Sequence, residues 1–310
     1  MAAPPAPSRG RHPLIPMLFT VAVCTWNRCA SLERMLQTLA AADRSGLDLE
    51  VLVVDNGSSD DTARVVQAAA SMLPIRIVTE PERGVANARN TAVREARGDV
   101  IVWTDDDVLV DRDWLQAHAR AVARWPGAGF YGGAIRPLFA YDPPDWMTAN
   151  WQRISGVYGA RDLGQMPFLF DDRCLPYSGN LVVHTHIMRR YPFDPRLGPR
   201  GTGRLGGEET PVLRAMIADR IRGWWVPDAA VQHLVPAERM TLSYLGQIYA
   251  SRGAARRLDD GSAHIPGVRP WIWAMAQQAE RAYRASRAVD PPEIWLPLFL
   301  RVCVARGRMR

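Results

Sequence analysis

The chain has 310 residues, of which 47% are hydrophobic and 23% are charged, and its formal net charge at pH 7 is +6. This is the composition of a globular protein, and it predicts one large domain or one domain with a smaller appendage. All 38 basic residues are arginine. We attribute this skew to coding bias, so the charge does not indicate a nucleic-acid-binding protein.

The N-terminal residues and the cysteines indicate the cellular compartment of the protein. Residues 1–16 are rich in Pro and Ala and lack the long apolar stretch of a signal peptide, so they are predicted to be a disordered arm. No apolar run reaches the roughly 18 to 20 residues of a membrane-spanning helix. The four cysteines form no CxxC pair. These features predict a cytoplasmic protein in a reducing compartment.

The first half of the chain alternates short apolar segments with helical patterns. The predicted strands are residues 18–24, 49–54, 75–79 and 99–103, which are β-branched and apolar as expected of strands covered on both faces. Helical periodicity follows each of the first three strands, and Ser31 is the predicted N-cap of the first helix. Strand, helix and strand repeated three times predict a parallel sheet. Ligands bind beyond the carboxyl ends of such strands.

Polar residues follow each of these four strands. They are Thr25, Trp26 and Asn27 after the first, Asp55 and Asn56 after the second, Glu80 and Arg83 after the third, and Asp105, Asp106 and Asp107 after the fourth. Because the carboxyl ends of parallel strands lie along one edge of a sheet, these side chains are predicted to form the floor of a cleft.

Three consecutive aspartates after a buried strand need compensation, because burying one unpaired carboxylate costs several kcal/mol. Carboxylates are hard oxygen ligands, so Asp105, Asp106 and Asp107 suggest Mg²⁺ or Mn²⁺ bridging to phosphate oxygens. The alternative is that the acidic run caps the helix predicted to follow it. Asp111 is the better cap for that helix.

Five segments of the sequence resemble those of a known protein family: TVAVCTWNR, VLVVDNGSSDDT, ERGVANARNTAVREARGDVIVWTDDD, GNLVVHTHIMRR and GGEETPVLRAM. In this order, from about Leu18 to about His233, they resemble the family-2 glycosyltransferases of the GT-A fold. The resemblance implies an α/β fold with a mostly parallel central sheet flanked by helices. It implies a catalytic domain at 17–240, with a nucleotide-sugar half at about 17–110 and an acceptor half at about 111–240, then a helical extension at 241–310.

The resemblance also implies roles for individual residues. The residues implied at the nucleotide sugar are Thr25, Trp26, Asn27, Asp55, Arg83, Arg89, Asp105, Asp106 and Asn180, with Asp55 at the base and Asp105 at ribose or sugar hydroxyls. Asp107 and His233 are the implied metal ligands, and the segment GWWVPDAAVQHLV contains a further predicted strand with His233 just after it. Purely structural alternatives stay open. They are a buried core position for Trp26, an exposed salt bridge for Arg89 and a structural role for His233.

Two glutamates complete the implied site. The resemblance makes Glu209 the general base, supported by Glu208, where family members usually carry Glu-Asp. The alternative is that two acids at a helix start oppose the macrodipole. Just upstream, Gly201, Gly203 and Gly206 spell GxGxxG without the preceding strand of a dinucleotide site. We interpret residues 194–207 as a loop that closes over the acceptor.

The C-terminal part leaves further alternatives open. Arg239, Arg252, Arg256 and Arg257 are candidates to bind a diphosphate, or else solvated surface charges. Residues 294–310 are apolar and then basic, so they are either a helix packed on the core or a segment at an anionic membrane surface.

The predicted function is metal-dependent, inverting transfer of a sugar from a nucleoside-diphosphate sugar. A UDP-sugar is the first candidate for this donor. The acceptor is a hydroxyl of a saccharide, a lipid-linked glycan or a small molecule. One rival is a sugar-phosphate nucleotidyltransferase, but CTWNRCASLERM lacks the Gly-rich, Arg- and Lys-bearing loop that those enzymes usually carry. The other is a nucleotide-sugar-binding protein without turnover.

Overall fold

The structure is a computed structural model that describes residues 17–198, 207–259 and 268–309. The predicted arm at 1–16, the GxGxxG glycines Gly201, Gly203 and Gly206, and the side chains of Arg256 and Arg257 lie outside this described part.

Strands and helices alternate along the chain. The strands are β1 (Leu18–Thr25), β2 (Asp48–Asp55), β3 (Ile75–Thr79), β4 (Val100–Asp105), β5 (Val108–Val110), β6 (Phe130–Phe139), β7 (Asn180–His184) and β8 (Gly223–Val235). The helices are α1 (Cys29–Ala41), α2 (Thr62–Ala69), α3 (Val85–Glu95), α4 (Trp114–Arg124), α5 (Asp145–Thr148), α6 (Trp151–Ile154), α7 (Thr185–Met188), α8 (Glu209–Ala218), α9 (Leu242–Asp259), α10 (Val268–Arg287) and α11 (Pro292–Met309).

All eight strands form one mixed sheet in the order β3-β2-β1-β4-β7-β6-β8-β5. β1 lies parallel to β2 and β4, and β2 lies parallel to β3. The four strands predicted from apolar runs and their parallel arrangement are therefore confirmed. β7 runs antiparallel to both β4 and β6. The sheet thus has a parallel half and a mixed half.

Alternate side chains of the parallel strands enter two separate cores. Val21 and Val23 of β1 face a cluster that includes the apolar face of α1, whereas Ala22 faces a cluster that includes α3 and α8. Strands covered on both faces must be apolar at every position, which explains the unbroken runs in the sequence. Helix α1 begins at Cys29 rather than at the predicted Ser31 cap. Asp60, from the loop after β2, accepts the hydrogen bond of the Cys29 amide at 2.9 Å.

The three last helices pack on a third cluster around Tyr158, Val235 and Leu245. Trp295, Leu296 and Leu300 of α11 are buried in it, so much of the segment 294–310 packs on the protein's own core. Helices α9 and α11 approach closely at Gly253, where an added Cβ would lie 2.2 Å from the Val304 carbonyl oxygen. Among the described residues, no helix is both long and apolar enough to cross a bilayer.

Candidate active site

A cleft of about 920 Å³ opens at the carboxyl ends of β1 and β4. The predicted site residues that line it are Thr25, Trp26, Arg83, Arg89, Asp105, Asp106, Asp107, Glu208, Glu209 and His233. Residues more than 200 positions apart in sequence therefore meet in one space. Three other predicted residues, Asn27, Asp55 and Asn180, do not line it.

The three aspartates lie between two strands. The short strand β5 starts one residue after Asp107 and pairs with β8, and the next helix, α4, has Asp113 as its N-cap. The alternative that the acidic run caps a helix is therefore wrong, and so is the choice of Asp111 as the cap. A strand end followed at once by a tight turn directs the carboxylates into the cleft.

Arginines compensate these carboxylates. Arg28 Nη1 lies 2.8 Å from Asp106 Oδ1 and 3.0 Å from Asp107 Oδ2. Arg239 Nη2 lies 3.1 Å from the same Asp107 oxygen, and the Thr25 hydroxyl donates to Asp106 at 2.8 Å. Sequence reasoning missed Arg28, although it directly follows the recognised Thr25 to Asn27 segment. No local pattern indicates a partner almost eighty residues away.

The three aspartates differ in their acidity. Burial raises the pKa of Asp106 to about 6, although Arg28 opposes this effect. Burial also raises the pKa of Asp107, but the charges of His233, Arg28 and Arg239 outweigh it and hold that pKa below its ordinary value. Burial likewise raises the pKa of Asp105, so Asp107 is the one of the three whose pKa lies below its ordinary value. A lowered pKa suits a metal ligand, which must be ionised.

His233 belongs to β8 itself rather than to the residues after it, and its Nε2 lies 3.4 Å from Asp107 Oδ1. Burial lowers the pKa of His233, but the Asp107 carboxylate outweighs this effect and raises it. The buried Nδ1 has no hydrogen-bond partner within the described part of the chain. His233 thus faces the acidic edge of the cleft and is not a core histidine.

The donor atoms of Asp107 and His233 fit a divalent cation only as a partial site. Among residues 17–198, 207–259 and 268–309, no three His, Cys, Asp or Glu side chains converge on one point. Mg²⁺ is usually held in such sites by one or two protein carboxylates, with substrate phosphates and water as its other ligands. A carboxylate and an imidazole side by side fit a cation that a diphosphate also coordinates.

Trp26 and Arg83 form one end wall of the cleft. The Arg83 guanidinium carbon lies 4.6 Å from the centroid of the Trp26 ring, and Arg83 Nη1 donates to the Asn56 carbonyl at 3.0 Å. Trp26 is half-buried and belongs to neither core cluster of the sheet. The alternative of a core tryptophan is therefore wrong.

Asn56 fixes the loop that carries Arg83. Its Nδ2 donates to the carbonyls of Glu80 and Glu82 at 2.9 and 2.7 Å, and its Oδ1 accepts from the Gly84 amide. Gly84 has φ 131°, a region that L side chains rarely adopt. The predicted polar residue Glu80 accepts from the Glu82 amide instead of lining the cleft.

Asp55 and Asn27 connect the first two strand-end loops. Asp55 Oδ1 accepts from the Ser58 amide at 2.9 Å, which is a local turn contact. Asn27, at φ 51°, accepts from the Ser59 amide at 2.7 Å, and its own amide donates to Ser58 Oγ. Both residues therefore shape the rim beside Trp26, in contrast to the predicted direct lining of the cleft.

Asn180 corrects another prediction. Its side chain is fully buried, with Nδ2 donating to the carbonyls of Ala134 and Ala229 at 2.9 and 2.8 Å. Its Oδ1 accepts from Trp114 Nε1 at 2.9 Å and lies 2.8 Å from His118 Nε2. Asn180 thus links β6, β7 and β8, and its side chain does not line the cleft.

Arg89 is buried and links two acidic parts of the cleft. It lies 3.2 Å from Asp105 and 3.2 Å from Glu208, and its guanidinium faces the ring of Trp103. The alternative of an exposed helix salt bridge is wrong. Glu209, the first residue of α8, is also buried. Burial and the neighbouring Glu208 raise the pKa of Glu209 to about 7, which suits a general base at neutral pH.

Helix α9 forms the opposite wall, which the resemblance did not cover. Its cleft-lining residues are Ser243, Tyr244, Gln247, Ile248 and Arg252. Tyr177 and the turn at Gly156 and Val157 complete this side. The wall is less charged than the aspartate edge, so the two ends of the cleft suit different chemistry.

The mixed sheet and its flanking helices have the GT-A fold. A family model described as Glycosyl transferase family 2 matches residues 20–190, more than half of the chain. The chain belongs to this family.

Curated relatives agree with the family. The chain is 35% identical over 173 residues to validoxylamine A glucosyltransferase of Streptomyces hygroscopicus subsp. limoneus, a match that covers 55% of this chain and 38% of that protein. It is 26% identical over 252 residues to the succinoglycan biosynthesis protein ExoM of Rhizobium meliloti, covering 79% and 73%. The match to the first relative thus spans well under half of that protein's length.

A solved structure agrees with the fold. The mannosyltransferase PcManGT from Pyrobaculum calidifontis, in complex with GDP-Man and Mn²⁺, superposes with a TM-score of 0.59 at 21% identity. The superposition covers 94% of this chain and 87% of that one.

Proposed function

We propose that this chain transfers a sugar from a nucleoside-diphosphate sugar to a hydroxyl acceptor, with inversion and with a divalent cation. One observation carries the proposal: the ionised Asp107, beside His233, and the buried Glu209 line the same cleft. One end therefore offers a site for a metal-bound diphosphate, and another part offers a base.

The donor is proposed to bind along the strand ends. Trp26 and Arg83 would contact the base, since an aromatic face and a guanidinium both stack on nucleobases. Arg28 and Arg239 lie where guanidinium groups could bind diphosphate oxygens in the bidentate manner that arginine favours. Asp105 would face ribose or sugar hydroxyls. A UDP-sugar is the first candidate for the donor.

Asp107 and His233 would hold Mg²⁺ or Mn²⁺. The bound cation would stabilise the negative charge that grows on the departing diphosphate. The role of Asp107 is to remain ionised beside the diphosphate. His233 must lose its proton to bind metal, and the raised pKa of His233 makes that step dependent on pH.

Glu209 would act as the base, with Glu208 beside it. A bond forms between the acceptor oxygen and the anomeric carbon, and the bond from that carbon to the diphosphate oxygen breaks with its electron pair going to the diphosphate. The hydroxyl proton passes to the Glu209 carboxylate. Attack from the face opposite the leaving diphosphate inverts the anomeric centre.

The acceptor is proposed to bind against α9 and Tyr177. Under this proposal residues 17–240 and the extension at 241–310 act together, because both line the cleft. The wall's hydroxyl and amide groups suit a saccharide, a lipid-linked glycan or a hydroxylated small molecule. We also propose a cytoplasmic location, with or without contact between the C-terminal helices and a membrane.

The rival functions make different demands on the site. In a nucleotidyltransferase, a Gly-rich loop would follow β1, but Thr25 to Arg28 contain no glycine. In a nucleotide-sugar-binding protein without turnover, no base is needed, and a buried glutamate pair would be a burden on stability. The raised pKa of Glu209 favours the transferase.

A thermal-shift panel tests donor binding. UDP, GDP, dTDP and CMP are each added with Mn²⁺ or with EDTA to the wild type and to Asp107→Ala. A nucleotide that binds only the native state raises the melting temperature. We expect one diphosphate to stabilise the wild type with Mn²⁺ and to lose this effect with EDTA or in the variant. The absence of a shift under every condition would refute the donor site.

Turnover is tested with Glu209→Gln. With the stabilising nucleotide's sugar conjugates, release of nucleoside diphosphate is measured with and without a mixture of hydroxyl acceptors. The variant should bind the nucleotide as the wild type does and lose release by at least about 100-fold. Binding by the wild type without any release would instead favour the binding-protein alternative.

A further inference from the structure

Two arginines from separate segments of the chain bind the acidic edge of the cleft. Arg28 comes from the loop between β1 and α1, and Arg239 from the turn at Ala237–Arg239 after β8. Both lie about 3 Å from Asp107 Oδ2, and Arg28 also bridges to Asp106. One carboxylate oxygen therefore receives two guanidinium groups.

This cluster is already balanced in charge. Asp106 and Asp107 carry at most two negative charges, and Arg28 and Arg239 carry two positive charges that arginine does not lose at any physiological pH. A divalent cation added to the cluster alone has no net negative charge to neutralise. Its binding would therefore be weak while both guanidinium groups remain in place.

The contacts of Asp107 add a local conflict. A cation on Oδ2 must displace Arg28 and Arg239, because both occupy that oxygen. A cation on Oδ1, beside His233, avoids displacement but lies next to both guanidinium groups on the same carboxylate. Either position sets the cation against the two arginines.

A nucleoside diphosphate resolves this conflict. It brings two to three negative charges and several oxygens, and guanidinium groups bind phosphate oxygens as well as they bind carboxylates. Arg28 is suited to move, since 41% of its side chain is exposed and it lines the cleft. Arg239 is more buried, with 19% of its side chain exposed, but it lines the same cleft.

We propose that Arg28 and Arg239 exchange partners: they release Asp106 and Asp107 and bind the diphosphate instead. This exchange makes nucleotide binding and cation binding mutually dependent. The inference rests on the proposed donor site, and it adds that neither ligand binds tightly alone. The arginines would thereby act as positioning residues for Asp107 and as direct contacts of the diphosphate.

Mn²⁺ binding measured by EPR tests the exchange without any need for turnover. The signal of free Mn²⁺ is followed during titration, without nucleotide and with saturating UDP or GDP, and is corrected for the Mn²⁺–nucleotide complex in buffer. We expect either diphosphate that binds to tighten Mn²⁺ binding to the wild type by about 10-fold or more, within the ordinary range of coupling between sites.

Charge-removing variants then identify the arginines as the cause. Arg28→Met and Arg239→Met should each bind Mn²⁺ alone about 5- to 10-fold more tightly than the wild type, and the gain from nucleotide should shrink to below about 3-fold. Arg28→Lys keeps the charge and should retain most of the coupling. Arg64→Met is the matched control, because it removes one arginine from an exposed pair with Asp61 on α2. It should behave as the wild type does.

Melting curves first establish which variants fold. If Arg28→Met does not fold, Arg28→Lys and Arg239→Met still test the exchange. If the nucleotide binds the wild type but leaves the Mn²⁺ affinity unchanged, the exchange is overturned while the donor site stands. The same holds if both methionine variants bind Mn²⁺ alone no more tightly than the control. If neither UDP nor GDP binds the wild type, the donor site and the exchange both fall.

Discussion

The guanidinium of Arg89 lies 3.2 Å from the carboxylate of Glu208, and each of these side chains is only 5% exposed. Arg89 comes from α3, on the nucleotide side of the fold, and Glu208 directly precedes α8. Because Arg89 also contacts Asp105, one buried cation joins the implied sugar-binding carboxylate to Glu208, the neighbour of the proposed base Glu209. Its loss should affect folding and chemistry together.

Arg89→Met should destabilise the protein by about 3 to 5 kcal/mol, because it leaves Glu208 buried without its cation. Urea unfolding followed by circular dichroism measures this change. Arg94→Met is the matched control on the same helix, since Arg94 is 64% exposed and pairs with Glu80 at 3.6 Å. It should cost less than about 1 kcal/mol. Equal losses in the two variants would show that the Arg89 pair has no special role in stability.

The rate of sugar transfer should rise with pH through about 7. The general base must be ionised, and burial together with Glu208 raises the pKa of Glu209 to about 7. Glu208→Gln removes the negative charge of its neighbour, so the ascending limb of the pH profile should move to lower pH. Glu238→Gln, also in the cleft, is the control and should leave the limb in place. A limb that does not move in Glu208→Gln would contradict the coupling of the two glutamates.

Trp26→Ala should weaken nucleotide binding by roughly 5- to 100-fold, as loss of base stacking on an aromatic ring does. Trp26→Phe keeps a ring against Arg83 and should lose less. Isothermal titration calorimetry with the nucleotide found in the thermal-shift panel measures both. Trp273→Ala, at an exposed position on α10, serves as the control. Unchanged affinity in Trp26→Ala would place the base elsewhere in the cleft.

Asn180→Ala should destabilise the fold by about 2 kcal/mol or more and leave nucleotide affinity unaltered. The substitution deprives Trp114 Nε1 and the carbonyls of Ala134 and Ala229 of their partner in a buried region. Denaturant unfolding and calorimetry together separate the two effects. Ser178→Ala, two residues earlier and at the cleft, provides the contrast. A loss of affinity without a loss of stability in Asn180→Ala would restore its predicted role at the donor.

Much of the donor side could be predicted from the sequence because its signals are local. Apolar runs define β1 to β4, and a parallel sheet brings the residues after those strands to one edge. Such reasoning brings Thr25 and Asp107 to the same edge, and both line the cleft. It does not give the direction of a side chain within a motif, so Asn180, next to the cleft-lining Gly179, is predicted at the nucleotide sugar, whereas its side chain lies in the core.

The remaining site residues depend on contacts between distant segments. The partners of Arg28 lie 78 and 79 positions away, and nothing near Arg28 in the chain specifies them. The wall formed by α9 depends on how that helix packs against α11, which periodicity cannot set. Residues such as Tyr244 and Gln247 therefore became visible only in the folded protein.

The close contact of α9 with α11 at Gly253 means that the two walls of the cleft differ in how freely they can change during evolution. The edge that would recognise the donor is built from strands whose registers are fixed by the sheet, so changes there are constrained by the whole core. The facing wall is set by two helices that meet through a glycine and a backbone carbonyl. A single substitution at that contact could tilt α9 and remodel the acceptor surface, so acceptor preference can diverge among descendants while the donor chemistry is conserved.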